Sequence, residues 1–256
     1  MTMSLAPFTV LIVAATEFEL AGLRERFGAG DVPFDYLATG VGPVATAFAL
    51  TERLLASPVH LVVNVGVAGA LDPDIEFDAV YDVTTDHFGD LGAEDADGSH
   101  LSVFDLGLAD PNTAPFSGGR LRSSSVTGVD ADAPHAALVA QFLEVAARFF
   151  PVADDRLTGT TVSRAHGTAA SIAAFRAGNS AQIESMEGAA VFYCARRLGI
   201  PCVQYRSISS VVEPRNREAW DIPGALHALN VGVTAILSAF LREAQDALAV
   251  APPRDR

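Results

Sequence analysis

Residues 36–71, YLATGVGPVATAFALTERLLASPVHLVVNVGVAGAL, decide the fold. A short apolar run, YLATG, ends at a glycine turn. The helical apolar spacing of PVATAFALTERLLA follows, and HLVVNVGVAGAL is a continuously apolar, β-branched stretch that again closes in glycines. Unbroken apolar runs of this length read as buried strands, and recurrence at three and four reads as a helix. Working outward, Phe8 to Ala14 gives a first strand, and Thr16 then precedes the helical pattern of EFELAGLRERF. Three such junctions by residue 71 predict an α/β protein whose central twisted β-sheet, largely parallel or mixed, is flanked by helices.

Toward the C-terminus a strand is expected near Ala79 to Thr85. From His87 to about Ser123 follows a Gly-, Asp-, Ser- and Pro-rich stretch of weak periodicity, which reads either as a functional loop or as disorder. Alternation resumes with LRSSSVTG, a helix over PHAALVAQFLEVAARFF, the strand RLTGTTVS, a helix over TAASIAAFRAG, the short segment AQIES, a helix over MEGAAVFYCARRLG and the strand CVQYRSIS. Gly199 sits where a C-capping glycine belongs. Asp221 is placed to cap a last helix that carries Pro223 in its first turn and Leu226, Leu229, Val233, Leu237 and Phe240 on one side. With no repeat and no linker, one domain over residues 8–249 is expected.

Charge and composition narrow the chemistry. The chain has 256 residues, 50% hydrophobic and 19% charged, with 17 basic against 31 acidic side chains for a net of −14. Every basic residue is arginine, so a lysine-dependent phosphate loop or Schiff base is excluded. The negative charge opposes diffuse binding to nucleic acid or anionic membrane, while leaving room for a local basic pocket. The N-terminal run lacks a basic flank and reaches Glu17 soon after Val13, so neither a signal peptide nor a membrane span is expected. Cys194 and Cys202 read as buried free thiols in a reducing cytoplasm. The six histidines, at 60, 87, 100, 135, 166 and 227, show no metal-site spacing, and there is no G-x-S-x-G elbow. Asp86, His87 and Asp90 read as solvated loop polarity more readily than as a chelate. No metal and no cofactor are expected.

Several residues can carry chemistry. The turns around Gly40 and Gly42, and around Gly66 and Gly69, are either tight structural turns or places where backbone N–H groups meet an anion or a sugar. Glu17 and Glu19 lie two apart at a helix start, so at most one need face a pocket. In QIESMEGAAV, Glu184 and Glu187 bracket another helix start, where a carboxylate can accept both hydrogen bonds of a vicinal diol. Arg206 falls inside an apolar strand and needs a partner there, with Glu187 a candidate. Arg215 and Arg217 are either surface residues or readers of a substrate carboxylate.

Together these motifs resemble the purine nucleoside phosphorylase and methylthioadenosine nucleosidase superfamily. VAATEFEL is similar to its first-strand motif, ATGVGPVATA and NVGVAGAL to its glycine turns, SMEGAAV to its Met-Glu ribose motif and YRSISSV to its Arg-x-Ile-Ser strand. FGDLGAEDADG, ESMEGAA and VEPRNREAWDIP look like the futalosine hydrolase branch. The resemblance, from about Val10 to Leu237, implies a nucleoside phosphorylase-like fold, a small-molecule nucleoside substrate, a homo-oligomer and hydrolysis of futalosine to hypoxanthine and dehypoxanthine futalosine in menaquinone biosynthesis. By position it implies that Glu19 activates water, Met186 and Glu187 contact ribose and Arg206 steadies Glu187. Gly40, Val67, Ala68, Gly69 and Ser209 would line the substrate. The purine-binding acid of the family falls on Ser210, a departure that leaves the general acid open. Arg215 or Arg217, with Arg164 in reserve, would receive the carboxylate of futalosine. A carboxylate at Glu19, with Asn64 and Val67 at the third-strand turn, favours water over phosphate. A phosphorylase, a methylthioadenosine/adenosylhomocysteine nucleosidase and a non-catalytic nucleoside binder are the alternatives.

Overall fold

The computed structural model describes residues 8–28, 32–133 and 135–250, with only the backbone given for 247–250. The expected tail after Ala249, and the N-terminal residues before Phe8, fall largely outside them. In chain order the elements are β1 (Val10–Ala14), α1 (Glu17–Phe27), β2 (Phe34–Ala38), α2 (Pro43–Ala56), β3 (Leu61–Ala70), β4 (Val80–Asp86), β5 (Gly92–Glu94), β6 (His100–Ser102) and β7 (Leu121–Arg122). Then come α3 (Ala136–Ala147), β8 (Arg156–Thr161), α4 (Ala169–Gly178), β9 (Ile183–Ser185), α5 (Gly188–Arg197), β10 (Cys202–Val211) and α6 (Ile222–Val250).

One mixed sheet of eight strands runs β10-β4-β8-β9-β3-β1-β2, with β7 on β4 and an additional β10–β3 pairing. Because β3 meets both β9 and β10, strands β3, β10, β4, β8 and β9 close into a ring, and β1 and β2 extend it as a parallel flap. This is the single-domain, helix-flanked sheet that the sequence predicts, with the closure added. β1 shows why both faces are apolar: Val10, Ile12 and Ala14 join the core shared with α1, α3 and α6, whereas Leu11 and Val13 join the core shared with α2 and α5. Alternation of side chains along a strand sends the two sets to opposite layers.

The stretch 87–123 is ordered by a two-stranded β5–β6 hairpin and returns through β7 to pair with β4, which corrects the alternative of disorder. Asp86 is likewise not solvated; it is fully buried at the end of β4. Cys194 and Cys202 are buried and free. Asp221 caps α6 as expected, its Oδ1 accepting from Gly224 N–H at 2.8 Å. The segment Arg217–Asp246, which contains most of α6, is long and apolar enough to cross a membrane by length and composition. Its Leu229, Val233, Leu237 and Phe240 are fully buried in the core. At about 1.5–3 kcal/mol for each such side chain, that face is what docks α6 on the sheet.

Candidate active site

The site is assembled where β1, β3, β9 and β10 end and α1 and α5 begin. Glu19 reaches it because it stands two residues from Glu17 in the first turn of α1. Glu17 faces solvent and pairs with Arg24 at 3.2 Å, while Glu19, rotated to the other side, is only 6% exposed. Its Oε2 accepts hydrogen bonds from the Thr16 N–H (2.9 Å) and hydroxyl (2.8 Å). Its Oε1 accepts one from Val67 N–H at 3.2 Å. The carboxylate therefore ties the start of α1 to the glycine turn of β3.

Glu187 is the N-cap residue of α5 and is equally buried. Its Oε1 accepts from Gly42 N–H at 3.0 Å. Gly42 has φ +92°, which a side chain would resist, so the turn around Gly40 and Gly42 is shaped to deliver that N–H. Burial pushes the Glu187 carboxyl above its usual range; the Arg206 charge and the Gly42 N–H oppose this, and the charge of Glu19 adds to it.

Arg206 lies beneath both glutamates, fully buried on β10 and in register with Gly66 of β3. A Cβ at position 66 would run into Arg206 Nη1 and come within 2.8 Å of Glu19 Oε1, so the close approach of both side chains to the β3 backbone requires glycine there. The expected direct pairing of Arg206 with Glu187 is corrected: no ion pair or hydrogen bond joins them, and the guanidinium acts on Glu187 through its field. The same charge acts on Asp86, whose carboxyl burial pushes up to about 6 against the opposing effects of Gln204, Thr161 and Arg206. Asp86 anchors a buried polar chain under the site. Asn64 donates to Gln204 (2.8 Å), Gln204 and Thr161 donate to Asp86 (both 3.0 Å), and the Ala189 N–H of α5 donates to Thr161 (2.7 Å). This chain of hydrogen bonds holds β3, β4, β8, β10 and α5 in one arrangement, with Asn64 Oδ1 left without a partner.

The cleft above this base has two adjoining parts. A larger one, about 480 Å³, is lined by Phe18, Glu19, Val41, Val67, Ala68, Gly69, Met186, Glu187, Ser209 and Leu226. A smaller one, about 140 Å³, continues past Gly69, Glu184, Met186 and Ser209 to Ser210, His166, Arg215 and Trp220. Ser209 is the extra residue of a bulge in the β10–β3 pairing, and its hydroxyl donates to Ala68 C=O at 3.2 Å. The bulge is how Ser209 and Ser210 both come to line the cleft.

Glu19, Val67, Ala68, Gly69, Met186, Glu187, Ser209, Ser210 and Arg215 are thus brought together, with Arg206 beneath them. Three expected residues are not. Gly40 lies outside the cleft lining, where its neighbours Val41 and Gly42 act instead, and Arg164 and Arg217 are exposed and line neither part. Arg215 lies over Trp220, 5.1 Å from the ring centroid, at the Ser210 end and away from Phe18 and Val41. Sequence reasoning missed Phe18, Val41, Trp220, His166 and the Asn64–Gln204–Asp86–Thr161 chain. Glu184 does carry a signal in the sequence, as an acid beside a helix start able to grip a diol, but not as a partner of His166. No group of histidine, cysteine and acidic residues among the described residues is arranged to hold a metal.

A family model described as the phosphorylase superfamily matches residues 26–242. A futalosine hydrolase of Streptomyces coelicolor is 37% identical over 207 residues, covering 78% of this chain and 77% of that protein. One of Acidothermus cellulolyticus is 30% identical over 228 residues, covering 82% and 77%. Among solved structures, futalosine hydrolase of Helicobacter pylori has the same fold, with a TM-score of 0.67 at 18% identity over 92% of this chain and 98% of that one. The 5′-methylthioadenosine/S-adenosylhomocysteine nucleosidase of the same organism gives 0.68 at 17% over 90% and 98%. The chain belongs to the phosphorylase superfamily and, within it, to the futalosine hydrolases, a family of hydrolases that act on the N-ribosidic bond of nucleosides.

Proposed function

We propose that the protein hydrolyses futalosine, releasing hypoxanthine and dehypoxanthine futalosine, as a step of menaquinone biosynthesis. The observation that carries hydrolysis over phosphorolysis is the Val67 N–H, which at the end of β3 would suit an anion and is already given to Glu19 Oε1 at 3.2 Å. A carboxylate in that position repels phosphate and accepts a proton from water. Glu187, with Met186 beside it, holds the ribose hydroxyls and faces the cationic ribose of the transition state. Arg206 keeps Glu187 ionised, and Ser210 hydrogen-bonds the departing purine.

With the purine at the Ser210 end, the ribosyl chain runs toward Phe18, Val41 and Leu226, an apolar mouth suited to the aryl group of futalosine. Arg215 then stands on the base side. Replacing it by alanine is expected to raise KM about tenfold for futalosine and for inosine alike, since the two share the base. A loss confined to futalosine would return Arg215 to the carboxylate. A homo-oligomer is part of the same reading. Val44, Phe48 and Leu55 lie along one face of α2 at 82%, 72% and 71% exposure, beside the exposed Phe18 and Val41, and a second copy would cover this patch.

The deciding experiment incubates the protein with futalosine, inosine and methylthioadenosine, with and without phosphate, and follows free base. Hypoxanthine from futalosine without phosphate is the expected result. A requirement for phosphate, with ribose 1-phosphate-type product, would make the protein a phosphorylase, and faster release of adenine from methylthioadenosine would reassign the substrate.

A further inference from the structure

The inner end of the cleft holds a pair of side chains that none of these roles uses. His166, in the loop between β8 and α4, has its ring Nδ1 hydrogen-bonded to Glu184 Oε2, and its backbone N–H donates to Glu184 Oε1 at 3.1 Å. Both oxygens of one carboxylate are thus committed to one histidine. The imidazole also lies over Phe175, ring centroids 4.2 Å apart, so its plane is held as well as its edge. The side chains are 15% and 5% exposed, which puts the pair in the wall of the site and not on the surface. That wall is shared with Gly69, Met186, Ser209 and Ser210. With Nδ1 engaged by Glu184, Nε2 is the ring atom left for a second partner.

The reaction needs such a partner. As the C1′–N9 bond breaks, its electron pair goes to the purine, which must gain a proton on a ring nitrogen to leave as a neutral base. Ser210 can hydrogen-bond there, but a serine hydroxyl does not give up its proton near neutrality. Histidine has the ordinary pKa closest to neutrality and is the side chain most often used for this transfer.

We propose that His166 is the general acid of the reaction, and that Glu184 is the residue that positions it. The assignment rests on the nucleosidase reading above. In the step, Nε2 of the doubly protonated imidazole gives its proton to the purine ring as the N-ribosidic electron pair moves onto the base. The water oxygen bonds to C1′ and its proton passes to Glu19; exchange with solvent then restores both groups, for a net consumption of one water.

The test compares His166→Asn and Glu184→Gln with the unaltered protein, each checked for fold by circular dichroism and thermal melting. On futalosine, His166→Asn is expected to lower kcat about 10²–10³-fold with KM within about threefold. Glu184→Gln should lower kcat about tenfold or more with the same split. On N7-methylated futalosine, whose base leaves neutral without a proton, the His166→Asn loss should shrink to under about tenfold. A folded His166→Asn protein that keeps more than a tenth of its kcat on futalosine, or that loses the same factor on both substrates, overturns the assignment. If instead the unaltered protein releases no base from futalosine, inosine or methylthioadenosine, the nucleosidase reading itself fails.

Discussion

Glu19→Gln is expected to lower kcat for hypoxanthine release about 10³-fold while leaving the protein folded. The two effects differ in size. Glutamine keeps the volume and one oxygen, which retains either the two contacts to Thr16 or the one to Val67 and gives up the rest. Loss of a helix-start hydrogen bond costs about 1 kcal/mol of stability. Loss of a general base is worth about 10²–10⁴ in rate, and 10³ corresponds to about 4 kcal/mol of transition-state stabilisation. Activity should therefore collapse while the melting transition barely moves. Steady-state assay of free base beside a thermal melt checks both, and full purine release by the variant would remove Glu19 from the mechanism. Unlike the loss at His166, this one should persist on N7-methylated futalosine, because water must still be activated when the base needs no proton.

How far the site was legible follows from which signals are local. The orientation of Glu19 against Glu17 is a matter of helical rotation, and the junctions at Gly42 and Gly69 are matters of run length and turn residues. Those are properties of a few consecutive residues, and they hold in the structure. Asp221 as a cap is of the same kind. Closure of the sheet is not, since it depends on β9, three residues long, pairing with β3 and β8 at once. The buried chain from Asn64 to Ala189 joins residues 140 and 118 apart in sequence, as Asn64–Gln204 and Asp86–Gln204 show, and no periodicity marks them. His166 falls in the same class: it meets Glu184 across eighteen residues that include the whole of α4. The arginines show the opposite limit. A charge in a polar loop says that a cation is available, but only the path of 213–221 around Trp220 decides that Arg215 lines the cleft and Arg217 does not.

Arg206→Met carries the other large effect, and its direction follows from what surrounds the guanidinium. Arg206 is fully buried, and its charge lowers the carboxyl pKa of both Glu187 and Asp86. Burial already holds Glu187 above its ordinary 4.5, so removing the cation raises it further. In the proposed mechanism Glu187 is ionised to stabilise the cationic ribose, so the acid limb of the kcat/KM profile should move to higher pH. Stability changes with the same sign. A carboxyl whose folded pKa is raised contributes stability that is present below its unfolded pKa and lost as pH rises through the folded one. Without Arg206 that window extends upward for both Glu187 and Asp86. The variant should lose more stability near pH 8 than near pH 5, as urea melts at the two values would show. Arg206→Lys keeps the charge and should hold the acid limb near its original position. An acid limb unmoved in Arg206→Met would mean that Glu187 does not depend on the cation. Adding Asp86→Asn to Arg206→Met separates the two consequences. It removes one of the uncompensated carboxylates and should restore part of the stability at pH 8, yet it should leave the acid limb displaced, because that limb belongs to Glu187 whereas the stability belongs to every carboxylate the guanidinium serves.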